Sequence, residues 1–272
     1  MKKKLSKFIL FLIGITIVAI LLFPVYWIIV TSLKSNNEIF GNPTIIPMEP
    51  TIEAYKITFI EQLSHIKTSL IISFGTVIFS LIIALPTAYA LAKFRFKFIN
   101  LILLLILITQ MVPNIMMTTP LYLMFSKIHL LNTHIGLILA DSTYAVPFIV
   151  LILRTVFMNI PSELLEASYI DGAGELKTFI RVVLPVSYSG IITGALFAFL
   201  FSWGDFIYAL TLTTDESIRP ITLGIYNFIG QYTENWNQLM AASVIAIAPV
   251  TILLIMFQKY ITAGLTEGST KG

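Results

Sequence analysis

Apolar residues run through this 272-residue chain in long uncharged blocks rather than in alternation. Residues 8–33, 68–92, 98–126, 182–204 and 235–258 contain no Asp, Glu, Lys or Arg, and 130–153 contains only Asp141. Each block exceeds the roughly 20 residues that cross a bilayer as a helix. Strands of a membrane barrel alternate in polarity and run only about 9–11 residues, so the pattern speaks for helices. The expected fold is an all-α, polytopic membrane helix bundle of six transmembrane helices. The spans fall at about 8–33, 68–92, 98–126, 130–153, 182–210 and 235–258. No second domain and no internal repeat stand out, so 1–272 reads as a single transmembrane domain.

Composition agrees. The chain is 57% hydrophobic and 11% charged, whereas soluble domains carry about 25% charged residues. Its surroundings are therefore lipid. Cysteine is absent, which removes disulfides, thiolate metal sites and cysteine nucleophiles together. The net charge of +3 is small, and no nucleic-acid partner is expected. With the N-terminus inside, the inner segments hold twelve basic residues and the outer segments five. That bias follows the positive-inside rule and puts both termini in the cytoplasm of a multi-pass cell-membrane protein. The acidic residues divide five inside and eight outside, with Asp141 within the membrane. The first block is too long for a signal-peptide core and reads as an uncleaved anchor. Residues 34–67, with Pro43, Pro47 and Pro50, read as an outer loop that caps that face. No Gly-rich loop followed by Lys-Ser/Thr is present, so no ATP site of the chain's own is visible.

One segment breaks the apolar pattern. LLEASYIDGAGELKTFIRVVLP (164–185) lies in a cytoplasmic loop of about 160–181 between the fourth and fifth spans. Pro161 and Ser162 suit a helix start, with Ser162 as cap and Glu163 and Glu166 in the first turns, where the helix dipole favours carboxylates. Asp171-Gly172 suits a helix end, because glycine takes the left-handed conformation that follows it. A second short helix from about Glu175 leads to Leu184-Pro185, where the next span begins. An interfacial linker fits this composition too. Two capped helices around a sharp turn are more than a linker needs, and form a rigid knob suited to a groove on another protein.

The segment resembles the cytoplasmic "EAA" loop of ABC-transporter permeases: Glu-Ala-Ala, three residues, Gly, nine residues, Ile, any residue, Leu-Pro. Glu166-Ala167-Ser168, Gly172, Val182 and Leu184-Pro185 match at the same spacing, with Ser168 in place of the second Ala and Val182 in place of Ile. Asp171-Gly172-Ala173 is similar to the sugar-permease form of the loop. LLNTHIGLIL (130–139), WNQLMAASVIAIAPV (236–250) and the tail GLTEGSTKG (264–272) resemble maltose-type permeases. The likeness covers most of the chain from about Thr68 and suits the shorter, MalG-like permease. It implies an importer with a second, MalF-like permease, two copies of a cytoplasmic ATPase that bind ATP and Mg, and an extracytoplasmic solute-binding protein. It further implies that 160–181 is a coupling helix seated in a cleft of the ATPase, with Glu166 as a polar contact and Ala167, Ser168 and Ala173 small because the cleft is close. Ser168→Ala, which restores the family residue, is then expected to be silent. The tail is expected at the ATPase interface.

The solute path is less marked. Asp141 is costly in a span and has to face protein or water; it lines a sugar cavity, pairs with a basic group of the second permease, or lies nearer the membrane surface than the charge pattern places it. Gln110 and Asn114, flanking Pro113, suit hydrogen bonds to a hydroxylated solute or bonds between helices. Tyr122, Tyr144, Trp203 and Tyr208 suit stacking on a sugar face or anchoring at the membrane interface. An ion-coupled secondary transporter of a small polar solute is the main alternative, though one intramembrane Asp is thin support for it. A membrane enzyme lacks a clustered set of catalytic groups, since His65, His129 and His134 share no metal-ligand spacing. A scaffold without transport has no use for the coupling loop.

Overall fold

The computed structural model describes residues 2–41, 44–94, 97–231 and 235–266. The helices follow in chain order as α1 (Lys2–Ser32), α2 (Asn36–Phe40), α3 (Glu53–Lys93), α4 (Ile99–Met111), α5 (Asn114–Lys127), α6 (His134–Met158) and α7 (Ser162–Ile170). Then come α8 (Glu175–Thr178), a π-helical turn at Phe179–Val183, α9 (Leu184–Val186), α10 (Tyr188–Trp203) and α11 (Ile207–Leu212). A 3-10 turn at Glu216–Ile218, α12 (Ile221–Gln231) and α13 (Trp236–Thr266) complete the chain. Among the described residues there is no strand. Among these residues four helices are long and apolar enough to cross a membrane, or up to six if each of two bent helix pairs is one span. The chain is thus an all-α membrane protein.

Three expected spans change shape. Residues 98–126 are not one straight helix: α4 and α5 meet at a 97° bend. The cause is Pro113. It has no N–H to give and forces the preceding residue out of the helical region, and Val112 accordingly sits at φ −79°, ψ 120°. The helix that carries the second span starts well before 68: α3 begins at Glu53 and runs for 41 residues. The expected outer loop 34–67 therefore shrinks and holds the short helix α2. The fifth span, expected over 182–210, falls on a bent pair, Glu175–Val186 and α10, which meet at 79° about Ser187, and the chain breaks again after α10 at Gly204–Phe206.

The chain divides into two compact units, Met1–Leu63 with Gly224–Pro249 and Ser64–Leu223 with Val250–Gly272. In the first, the segment after α1 is tied to itself. Thr44 Oγ1 and the Met48 N–H donate to Glu38 Oε1 at 2.8 and 2.9 Å. The buried Lys34 donates to the Thr44 carbonyl and lies over the Trp27 ring. By contrast, the apolar window of α1 has no residue buried by the rest of this chain.

In the second unit α6 is central. Ala145, Ile149, Leu153 and Phe157 pack with Ala84, Ala88 and Tyr89 of α3 and Ala198 of α10. Toward its other end, Leu137 and Ala140 pack with Leu121 and Phe125 of α5 and Tyr208 and Leu212 of α11. Two glycines set how close α6 and α10 come. A Cβ on Gly190 would lie 2.7 Å from Val156 Cγ2, and one on Gly194 would lie 3.1 Å from Ile149 Cγ2. Between helices in lipid, where no hydrophobic force drives association, such close approach is what packing attraction requires.

Candidate functional site

The segment from Ser162 to Val186 is a helix–turn–helix closed by backbone bonds. The Gly172 N–H donates to the Tyr169 carbonyl and the Ala173 N–H to the Ser168 carbonyl, both at 3.0 Å. This pair is the Schellman arrangement, which needs a left-handed residue just past the helix. Gly172 supplies it at φ 76°. A Cβ there would meet nothing within 4 Å, so backbone shape rather than crowding fixes glycine within this chain. At the other end Ser162 is the first helical residue and not the cap; Pro161 holds the cap position and no side chain bonds there. The second helix runs on through the π-helical turn, where the Leu184 N–H reaches the Phe179 carbonyl. That wide turn precedes Pro185, whose ring would collide with the carbonyl four residues back in a regular helix. The chain bends two residues beyond the expected Leu184-Pro185, at Ser187.

The two helices are pinned together from inside. Ser168 Oγ and Thr178 Oγ1 lie 2.9 Å apart and both are buried. Ser168 therefore faces into the knob and does not present itself to a partner. Its loss leaves a buried hydroxyl unpaired, at about 1–3 kcal/mol, so alanine here is not the silent exchange that the family pattern suggests. Glu166, Ala167, Asp171 and Gly172 are exposed on the outside of the knob, as is Pro185, while Ala173 and Leu184 are half-buried.

Beside the N-terminal half of α6 lies a cavity of about 310 Å³ lined by Asn114, Asp141, Tyr144, Phe201, Asp205 and Tyr208, among others. Its volume is at the lower end for small-molecule sites. Asp141 is buried, and Ser202 Oγ donates to its Oδ2 at 2.5 Å. Charge counting places Asp205 with the outer acidic residues. In the structure it lines this cavity and accepts the N–H groups of Tyr208 and Ala209 at 3.3 and 2.9 Å, fixing the start of α11. Asn114 and Asp141 thus meet, though they lie on different helices. Gln110 does not join them; its Nε2 donates to the Tyr144 carbonyl at 3.2 Å and ties α4 to α6. Of the four aromatic candidates, Tyr144 and Tyr208 line the cavity, and Tyr122 and Trp203 are not among its lining residues. The tail 267–272 lies outside the described residues.

The family profile described as the binding-protein-dependent transport system inner membrane component matches residues 77–267. The chain belongs to that family. It is a multi-pass inner-membrane permease subunit of an ABC importer, and ATP hydrolysis is the work of a separate subunit. The permease is 33% identical over 254 residues to the sulfoquinovosyl glycerol transport system permease protein SmoH of Agrobacterium fabrum, covering 92% of this chain and 89% of that one. It is 34% identical to the trehalose/maltose transport system permease protein MalG of Thermococcus litoralis, with both chains covered in full. Among solved structures, a bacterial ABC transporter involved in import of the acidic polysaccharide alginate shares the fold, with a TM-score of 0.80 at 22% identity over 95% of this chain and 96% of that one.

Proposed function

We propose that this permease carries a sugar or oligosaccharide inward together with a second, MalF-like permease, and that Ser162–Val186 is the element on which the ATPase pair acts. The observation that carries the proposal is the Schellman-closed knob, compact enough to transmit force. ATP and Mg bind in the ATPase, a solute-binding protein delivers the sugar, and closure of the ATPase pair pulls the knob. The spans then rock as rigid bodies between two states. The relatives' names support a sugar as cargo, since they speak of sulfoquinovosyl glycerol and of trehalose and maltose.

In this scheme both termini and the knob are cytoplasmic. Because the chain has no cysteine, single cysteines report sidedness without background. Met48→Cys and Leu176→Cys place thiols where the native side chains are 76% and 72% exposed. In intact cells the first is expected to react with an impermeant thiol reagent and the second only after the cells are broken. The opposite pattern overturns the orientation.

The Asp141 cavity is the proposed contact with solute. Asp141→Asn keeps the shape and the Ser202 bond but removes the charge. The expected result, in uptake of a panel of radiolabelled disaccharides, is a higher half-saturating concentration with normal yield of the assembled transporter. Lower yield with unchanged affinity would instead make Asp141 a residue of assembly.

A further inference from the structure

Besides the packing of Leu165 and Val183 in the apolar cluster, polar ties fasten the knob to the body of its unit. The Glu175 carboxylate, one turn beyond the Gly172 bend, accepts two tyrosine hydroxyls. Tyr169 of α7 donates to Oε1 at 3.0 Å and Tyr89 of α3 donates to Oε2 at 3.2 Å. Tyr89 is itself buried, with its ring 4.9 Å from Phe179 in the π-helical turn and 6.1 Å from Phe157 of α6. One carboxylate thus bridges the exposed knob and an aromatic cluster formed where α3, α6 and the π-helical turn meet. A second tie runs nearby, from Lys93 Nζ to the Ile160 carbonyl just before α7, at 3.0 Å. Hydrogen bonds to a charged group are stronger than neutral ones, and covering this partly exposed pair with another protein excludes water and strengthens it further. Glu175 lies outside the Glu-Ala-Ala…Gly…Leu-Pro pattern, so the resemblance assigns it nothing.

We infer that Glu175 is a positioning residue that locks the knob to α3 through Tyr89, so that displacement of the knob becomes displacement of the span. The inference rests on the reading of Ser162–Val186 as the ATPase-docking element. Glu175 touches neither solute nor nucleotide in this scheme. Its work is to keep α7, α8 and α3 moving as one body, adding a directional bond to the packing of Leu165 and Val183 in the apolar cluster that holds Tyr89.

The test uses the assembled transporter in lipid nanodiscs. Spin labels are placed on Leu176→Cys in the knob and Ile82→Cys on α3, positions whose native side chains are 72% and 67% exposed. The distance between them is read without nucleotide and after trapping with ATP and vanadate. With Glu175 present, the same narrow distance is expected in both states. With Glu175→Ala, the ATPase is expected to co-purify in normal amount, while the distance shifts and broadens on trapping. Hydrolysis stimulated by the binding protein then falls about tenfold. Tyr89→Phe is expected to reproduce this loss, and Glu175→Gln, which keeps an acceptor, to restore most of the wild-type behaviour. Tyr169→Phe removes only the exposed bond and guards against a folding artefact; a partial broadening is expected. An unchanged distance and full stimulation in Glu175→Ala with ATPase bound overturn this inference alone. Failure of any ATPase to co-purify with the wild-type chain overturns the docking reading and this inference with it.

Discussion

Gly172→Val is expected to abolish ATP-driven uptake while leaving the chain in the membrane at near-normal abundance. The residue sits at φ 76°, a shape that costs an L-residue roughly 1–2 kcal/mol, and more for a β-branched side chain. A Cβ there meets no atom of the chain within 4 Å, so the strain is not compounded by a clash and does not spread into the spans. It is relieved by opening the turn, which breaks the Gly172–Tyr169 and Ala173–Ser168 backbone bonds and swings α7 away from α8. Co-purification of the ATPase subunit, measured beside membrane abundance of the chain, is expected to fall sharply. Gly172→Asn is expected to retain most of it, since asparagine tolerates the left-handed region. Full ATPase recovery and full uptake with valine would make the knob a mere linker.

Gly190→Leu is expected to act in the opposite sense, with the chain itself failing to accumulate. A Cβ at 190 would stand 2.7 Å from Val156 Cγ2 and 3.2 Å from its Cβ. Val156 cannot swing clear, because a β-branched side chain in a helix has one favoured rotamer. α6 and α10 must separate, which opens the packing of Ala145, Ile149 and Ala198. Overpacking of this kind costs about 1–3 kcal/mol and sometimes more. Membrane abundance and thermal unfolding in detergent are the measurements. Val156→Ala in the same chain is expected to recover much of the loss, a rescue that general damage to α10 would not show. Normal abundance of the single variant would mean that the two helices are not held by this contact.

The legible parts of the chain are those whose cause is local. The Gly172 turn and the two short helices follow from residues next to one another, so the sequence alone suffices for them. The bend at Val112 is not seen by a scan for charge, because 98–126 is uniformly apolar and hydropathy is indifferent to a missing N–H. The start of α3 escapes for a different reason. Its buried face begins Ala54, Thr58, Gln62, His65 and Ser69, which is helical spacing, but most of these side chains are polar and a search for apolar periodicity passes over them. Asp205 and Asp141 meet only through the tertiary fold, and so do Ser168 and Thr178. A family pattern is no substitute there: it marks Ser168 as small and leaves open which way it points.

The π-helical turn at Phe179–Val183 carries one more residue between its hydrogen-bonded partners than a regular turn does. Successive residues of a helix are separated by about 100° around the axis. Removing one residue from 175–186 would therefore do little to the length of this helix and much to its phase, turning Glu175 away from Tyr89 while α10 stays in place. Across members of the family, the spacing between the Gly172 bend and the Ser187 bend should thus be held to the residue.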